Sequence, residues 1–507
     1  MTKRNLFYAL TLLITLASCA PKSSPDTKKP NIVIIYADDV GYGDLSCYGA
    51  SAVRTPYLDI LAKEGLRFTQ AYAEASTCTP SRYAMLTGRY AFRNNAAILP
   101  GDAPLIIESH RETLASMLKK AGYTTGVVGK WHLGLGDGKP DWNTDIKPGP
   151  LEIGFDYSFL LPATADRVPT VYVENHRVLN ADQQDPIRVD YNQKVGDDPI
   201  GLEHPELLKM AADSQHSGTI VNGISRIGFM AGGHQAYWKD EDFAAVFGEK
   251  AKDFIHAHQD KPFFLYYALP HIHVPRAPNQ KFVGTTKMGP RGDVIAEMDA
   301  MVGAVMQTLK ELGLDRNTLV VFSSDNGPVV DDGYADQAVE RLGDHKPAGT
   351  LRGGKYSAYE GGLRVPMIVR WPGEIRPGVS NAIINQVDFF ASFAQLAGVP
   401  IDQPRTAPDS ENLLSALTGE SEQGRRSMLQ ESFTMGLRDG DWKYIAPVSK
   451  KTPDWLADKR EETGLQQVPQ LYNLKDDPKE QHNVATQYPE KTKELAEKLE
   501  EIRHKEY

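Results

Sequence analysis

The stretch Asn31-Ile-Val-Ile-Ile-Tyr-Ala-Asp-Asp39 (NIVIIYADD) is an almost unbroken apolar run, rich in β-branched residues, that stops at two carboxylates. A strand with one wet face would alternate apolar and polar side chains. This run does not, so it reads as a strand covered on both faces, as in a parallel sheet packed between helices. The same rhythm extends outward from it. YLDILAKEG (57–65) has Leu58 and Leu61 at helical spacing and a glycine stop. RETLASMLKKAG (111–122) puts Leu114, Met117 and Leu118 on one face before the strand-like YTTGVVG. KPFFLYYAL (261–269), a long helix around Ile295 to Leu312, and NTLVVFSSDNG (317–327) repeat the pattern. Alternation of this kind predicts an α/β domain over 30–401, a large mixed, mostly parallel sheet sandwiched by helices. From about Asp402 the pattern shifts to short strands such as DWKYIA, a Lys/Asp/Glu-rich stretch and a terminal helix with Leu495 and Leu499. This predicts a smaller α+β subdomain over 402–507. Residues 160–245 and 326–354 break the rhythm, and long irregular segments in such folds often shape an active site.

The chain has 507 residues, 41% hydrophobic and 24% charged, enough for a large core. A net charge of -10 without a basic stripe excludes a nucleic-acid binder but leaves an anionic substrate open, since one pocket can still focus positive charge. Lys3 and Arg4 precede an apolar run from Leu6 to Ala17 that is too short to span a bilayer, so residues 1–18 read as a signal peptide. Leu16-Ala17-Ser18-Cys19 resembles a bacterial lipobox. On that reading Cys19 carries the only membrane attachment, a lipid, and 19–29 is a solvated tether. The expectation is an exported lipoprotein, periplasmic or attached to an outer membrane. An ordinary signal peptide cleaved near Ala17 or Ala20 is the alternative. Of the three cysteines, Cys47 and Cys78 then either form a disulfide or leave Cys47 a lone thiol beside a modified Cys78.

Several polar groups fall where a buried strand ends, the place where open α/β sheets line their ligand crevice. Asp38-Asp39 follows one strand and Asp325-Asn326 another. Three carboxylates and an amide oxygen form a hard ligand set suited to Ca²⁺ or Mg²⁺, although each pair alone would serve as a cap or turn. Lys130 and His132 in GKWHLG, and His271 and His273 in LPHIHVP, also follow strands. Arg352 and Lys355 lie in the glycine-rich RGGKYSAYEGG. Each would be unremarkable alone. In CTPSRYAMLTGR, Pro80 suits the first turn of a helix, which puts Cys78 at an N-terminus that favours anions. Arg82, one turn on, can fork two oxygens of a tetrahedral oxyanion.

Cys78-Thr79-Pro80-Ser81-Arg82, with Thr87-Gly88 downstream, resembles the type I sulfatase signature, Cys-x-Pro-Ser-Arg with a later Thr-Gly, and the likeness extends to LYNLKDDPKEQHNVA near the C-terminus. The resemblance implies an alkaline-phosphatase-like fold and a sulfuric ester hydrolase. It implies that a maturation enzyme oxidises Cys78 to formylglycine, and that Asp38, Asp39, Asp325 and Asn326 hold Ca²⁺. It further implies a sulfate pocket of Arg82, Lys130, His132, His273 and Lys355, with His273 matching better than His271. His273 would protonate the leaving alcohol, and His132 would take a proton from the aldehyde hydrate. Ser158 resembles a family polar position near the site. VYVENHRVL, HSGTIVNGISRIG and the 326–355 loop resemble gut-bacterial 3-O-sulfatases of galactose or N-acetylgalactosamine, which would set His176 on the axial O4 and Arg352 near O2 of a sulfated glycan. The alternatives are a 6-O-sulfatase of the same sugars, a phosphoryl-transfer enzyme on this scaffold, or a non-catalytic glycan-binding lipoprotein.

Overall fold

The computed structural model describes residues 29–449, 451–459 and 461–505. The signal peptide, Cys19 and the tether before Lys29 lie outside the described residues. A ten-stranded sheet organises the larger part of the chain. From edge to edge its strands are Gly378–Asn385, Leu66–Tyr72, Met367–Arg370, Thr318–Ser324, Asn31–Ala37, Phe263–Ala268, Thr124–Lys130, Tyr157–Leu161, Val173–Glu174 and Arg177–Val178. The five central strands from Thr318 to Leu161 run parallel. Met367–Arg370 enters antiparallel on both sides, which makes the sheet mixed.

Asn31–Ala37 is buried along its whole length, and its pleat divides the interior. Ile32, Ile34 and Tyr36 face one core with the helices Leu114–Lys120 and Phe389–Ala397. Val33, Ile35 and Ala37 face the other with Phe243–Ala257 and Pro290–Glu311. Both faces are therefore dry, the physical reason for the missing alternation. Truncating Ile34 or Ile35 to alanine would cost about 2–5 kcal/mol.

Residues 427–473 form a separate antiparallel sheet of four strands, Ser427–Glu431, Met435–Asp439, Trp442–Ile445 and Gln470–Asn473, covered by the helix Pro489–His504 through Leu495 and Leu499. It docks on the larger sheet where Ala75 bridges to Glu431. The irregular 160–245 region holds two small ribbons, Ile220–Val221 with Ile224–Ser225 and Arg188–Asp190 with Phe229–Ala231. Cys47 and Cys78 are both free thiols, so the disulfide alternative is excluded.

Candidate active site

Register delivers the site. Ala37 pairs with Ser324, Tyr36 with Ala268, and Ala268 with Gly129, so neighbouring strands end level with one another. The next residues, Asp38, Asp325 and Lys130, therefore emerge side by side at one edge. Gly129 has φ +117, and a Cβ there would fall 1.8 Å from the Ala268 carbonyl oxygen, so only glycine allows this close turn of Lys130. Asp39, His132 and Tyr356 hold left-handed φ values of 61, 54 and 72, a conformation costly for such residues and common at functional sites.

All four expected metal ligands are fully buried and adjacent. The Asp38 Oδ2 accepts from Lys130 at 2.6 Å, and the Asp39 Oδ2 accepts from Lys355 at 2.8 Å. The Asn326 amide donates to Asp39 Oδ1 at 2.7 Å. Arg82 forks onto Asp325 Oδ2 with Nε at 3.0 Å and Nη2 at 2.8 Å. Two oxygens, Asp38 Oδ1 and Asn326 Oδ1, are buried with no partner. Unmatched oxygens among carboxylates are what a hard cation would satisfy, so the donor set fits calcium. Burial pushes Asp38 well above the usual carboxylate range, although Lys130 opposes it. Burial acts the same way on Asp325, but Arg82 and then Lys130 outweigh it and hold that carboxyl below its ordinary value.

Cys78 opens the helix Cys78–Thr87, every residue of which is buried. Burial raises its thiol against the pull of Lys130 and Lys355, so the encoded cysteine is protonated and a weak nucleophile. The Cys78 side chain faces a cavity of about 250 Å³ together with His273 and Lys355. His273 Nδ1 donates to the Val274 carbonyl at 2.7 Å, so Nε2 is the atom left for chemistry, 3.8 Å from Asp39. Burial and then Lys355 lower this imidazole to about 4. His132 donates from Nε2 to the Leu99 carbonyl at 2.9 Å and keeps Nδ1 buried without a partner. Burial, Lys130 and Arg167 hold it neutral. The Thr79 hydroxyl, one residue past Cys78, donates to the His132 carbonyl at 3.0 Å and ties the two together.

Five of the expected site residues meet other partners in this structure. Arg82 and Lys130 face Asp325 and Asp38 rather than the open cavity, because each is the nearest cation to a carboxylate with no exposure to water. Ser158 pairs in register with Val127, three residues before the strand end, so it lies about 10 Å below the site, bonded to Asn175. His176 sits in the edge hairpin between Glu174 and Arg177, where its Nε2 meets Glu152 at 2.9 Å. Arg352 is turned to the C-terminal subdomain, clasping Glu462 and the Glu480 carbonyl and stacking over Tyr359. His271 faces Glu297 at 3.5 Å, in keeping with the preference for His273.

The cavity wall comes from residues that sequence reasoning missed. Asp166 holds Arg167 at 3.0 Å and His216 at 3.3 Å. Asp332 lies 3.2 Å from Lys355 and 3.1 Å from Lys459. Trp455 and Lys459 reach the cavity from the C-terminal subdomain. Asp166, Arg167, His216 and Asp332 fall in the irregular 160–245 and 326–354 segments, whereas nothing in the sequence pointed to Trp455 and Lys459.

Residues 30–399 match the sulfatase family. Over 496 residues the chain is 50% identical to an N-acetylgalactosamine-6-O-sulfatase of Bacteroides thetaiotaomicron, covering 96% of each. It is 32% identical to human arylsulfatase A over 97% of this chain and 90% of that one. A solved structure described as a 6S-sulf in the metabolism of multiple glycosaminoglycans by Bacteroides thetaiotaomicron matches at 50% identity and a TM-score of 0.92, over 94% of this chain and 100% of that one. The Bacteroides thetaiotaomicron relative is named for 6-O-sulfate, the position that the sequence left as an alternative to 3-O. With the strand-end carboxylates, the Cys-x-Pro-Ser-Arg helix and this match in hand, the chain belongs to the sulfatase family of sulfuric ester hydrolases.

Proposed function

We propose that this enzyme removes 6-O-sulfate from N-acetylgalactosamine or galactose in sulfated glycans. One observation carries the reading: 50% identity to an N-acetylgalactosamine-6-O-sulfatase over 96% of both chains. A cavity of about 250 Å³, floored by Cys78 and flanked by Lys355 and His273, supports it as a seat for one sulfated sugar. Bound by Asp38, Asp39, Asp325 and Asn326, calcium would supply Lewis-acid polarisation, and oxidation of Cys78 by a maturation enzyme would supply the aldehyde hydrate that is the family's nucleophile.

The side chains have separate tasks in this reading. Lys355 neutralises sulfuryl oxygens as charge moves onto them, while Arg82 and Lys130 hold Asp325 and Asp38 in place. His273 delivers a proton from Nε2 to the leaving sugar oxygen. An anionic sulfate beside it offsets the field of Lys355, so substrate binding raises the proton affinity of an otherwise neutral ring. His132, neutral with an unpartnered Nδ1, is suited to accept a proton next to residue 78.

The test is sulfate release from 6-O- and 3-O-sulfated galactose and N-acetylgalactosamine, followed by ion chromatography. The 6-O esters should be hydrolysed at least about a hundredfold faster, which corresponds to roughly 3 kcal/mol of transition-state discrimination. Faster release from the 3-O esters would overturn the reading. The lipobox-like Leu16–Cys19 supports export as a lipoprotein, periplasmic or outer-membrane attached. Loss of fatty-acid labelling in Cys19→Ala would support the anchor, and retained labelling would refute it.

A further inference from the structure

A second cavity of about 510 Å³ adjoins the one that holds Cys78. The two share Gln215, Trp455 and Lys459 along a common border. They differ in charge. The inner cavity sets Arg167 and Lys355 against Asp166 and Asp332, a balanced set. The outer one carries Asp213, Asp331, Asp336 and Glu340. Asp336 is taken up by Arg276 at 2.7 Å, and Asp213 by His216 at 2.6 Å. Asp331 and Glu340 form no ion pair among the described residues, so their charge faces whatever enters. At the border the Lys459 ammonium is buried between Asp332 at 3.1 Å and Asp213 at 3.7 Å, so its charge is compensated within the wall. Beside it Trp455 is braced edge-on by Tyr356 and Phe433, with ring centroids 5.2 and 6.0 Å away.

We propose that the outer cavity is the subsite for the sugar linked to the sulfated residue, and that it admits an uncharged sugar while disfavouring a uronic acid. The inference rests on the sulfatase reading above, with the sulfated ring in the inner cavity. A fixed indole offers an apolar surface to the C–H face of a sugar. A uronate would bring a third carboxylate beside Asp331 and Glu340. Two like charges at several ångströms in a water-filled cleft are worth on the order of tenfold in affinity, and less at high salt.

The test compares kcat/KM for two disaccharides in which 6-sulfated N-acetylgalactosamine is joined either to galactose or to glucuronic acid, using the mature enzyme. The neutral disaccharide should be favoured by about tenfold, falling toward parity in 0.5 M salt. In the Asp331→Asn/Glu340→Gln double variant the preference should shrink to about threefold or less. A wild-type ratio near one, or a ratio unchanged in the double variant, would overturn the subsite. The same ratio is measured on the 3-O-sulfated pair. An error in the sulfate position would move activity between the two series, while the neutral-to-uronate ratio would still judge the subsite.

Discussion

The floor and the rim of this site are built by opposite means. The floor comes from level strand ends and one helix start: Asp38, Lys130, Asp325 and Arg82 have no exposed surface, and each charge is paired. The rim comes from loops and from the 3₁₀ helix Asp454–Lys459, where Arg167, His216, Asp332, Trp455 and Lys459 converge from distant parts of the chain. The ladder of one sheet sets the position of the floor, whereas isolated bridges and turns such as Arg167 with Ile227 and His216 with Asp213 set the rim. The floor is therefore suited to the chemistry shared by a family, and the rim to the choice of substrate.

The largest effect that could break this division is at Cys78. Cys78→Ala should lower kcat by about 10⁴-fold or more, since the proposed mechanism makes this residue the source of the nucleophile. Mass spectrometry of the mature wild-type peptide should show an aldehyde in place of the thiol, and an intact thiol in fully active protein would refute it. Next is His273→Ala, expected to lower kcat on sugar sulfates by about 10²–10⁴-fold. The loss should be far smaller on nitrophenyl sulfate, whose leaving group needs no proton. Equal losses on both substrates would make His273 a positioning residue.

The docking of the rim-bearing subdomain offers a third test. Glu74 is buried with both carboxylate oxygens unpartnered, and Glu431 lies beside it across the subdomain boundary. Burial and then Glu431 push Glu74 well above the carboxylate range, and burial pushes Glu431 from 4.5 to about 8. The folded chain thus keeps protons that the unfolded chain releases. Stability from this pair is complete below about 4.5 and is lost as pH rises toward about 8. Glu431→Gln should leave unfolding at pH 5 nearly unchanged and stabilise the protein at pH 8 by about 1–3 kcal/mol, measured by chemical denaturation. No gain at pH 8 would contradict the retention of protons by this pair.

Smaller effects sharpen the contrast. Trp455→Ala should raise KM for a sulfated sugar by about five- to tenfold and leave kcat within about twofold, the mark of a binding contact made equally in ground and transition states. A loss confined to kcat would move Trp455 to the floor. His176→Ala should change kcat/KM by less than about twofold, because its ring is held by Glu152 on the edge hairpin. A tenfold loss would restore the sugar contact first expected for it.

What the chain declares in its own order is the floor. An apolar run with no polar alternation dictates a strand buried on both faces, and a carboxylate placed directly after it must emerge at the strand end. The Cys78–Arg82 spacing likewise dictates a helix start, since proline acts within a few residues. Register then only had to align what was already in place. Folding alone decided which partner each charge would take. Arg82 and Lys130 turned to Asp325 and Asp38 because buried carboxylates without water bind the nearest cation. Arg352 went to Glu462, and Ser158 fell a few residues short of the site along its strand. Lys459 reached Asp332 from another subdomain. Such contacts depend on how loops of no fixed period close over a finished sheet, and local propensity carries no record of that closure.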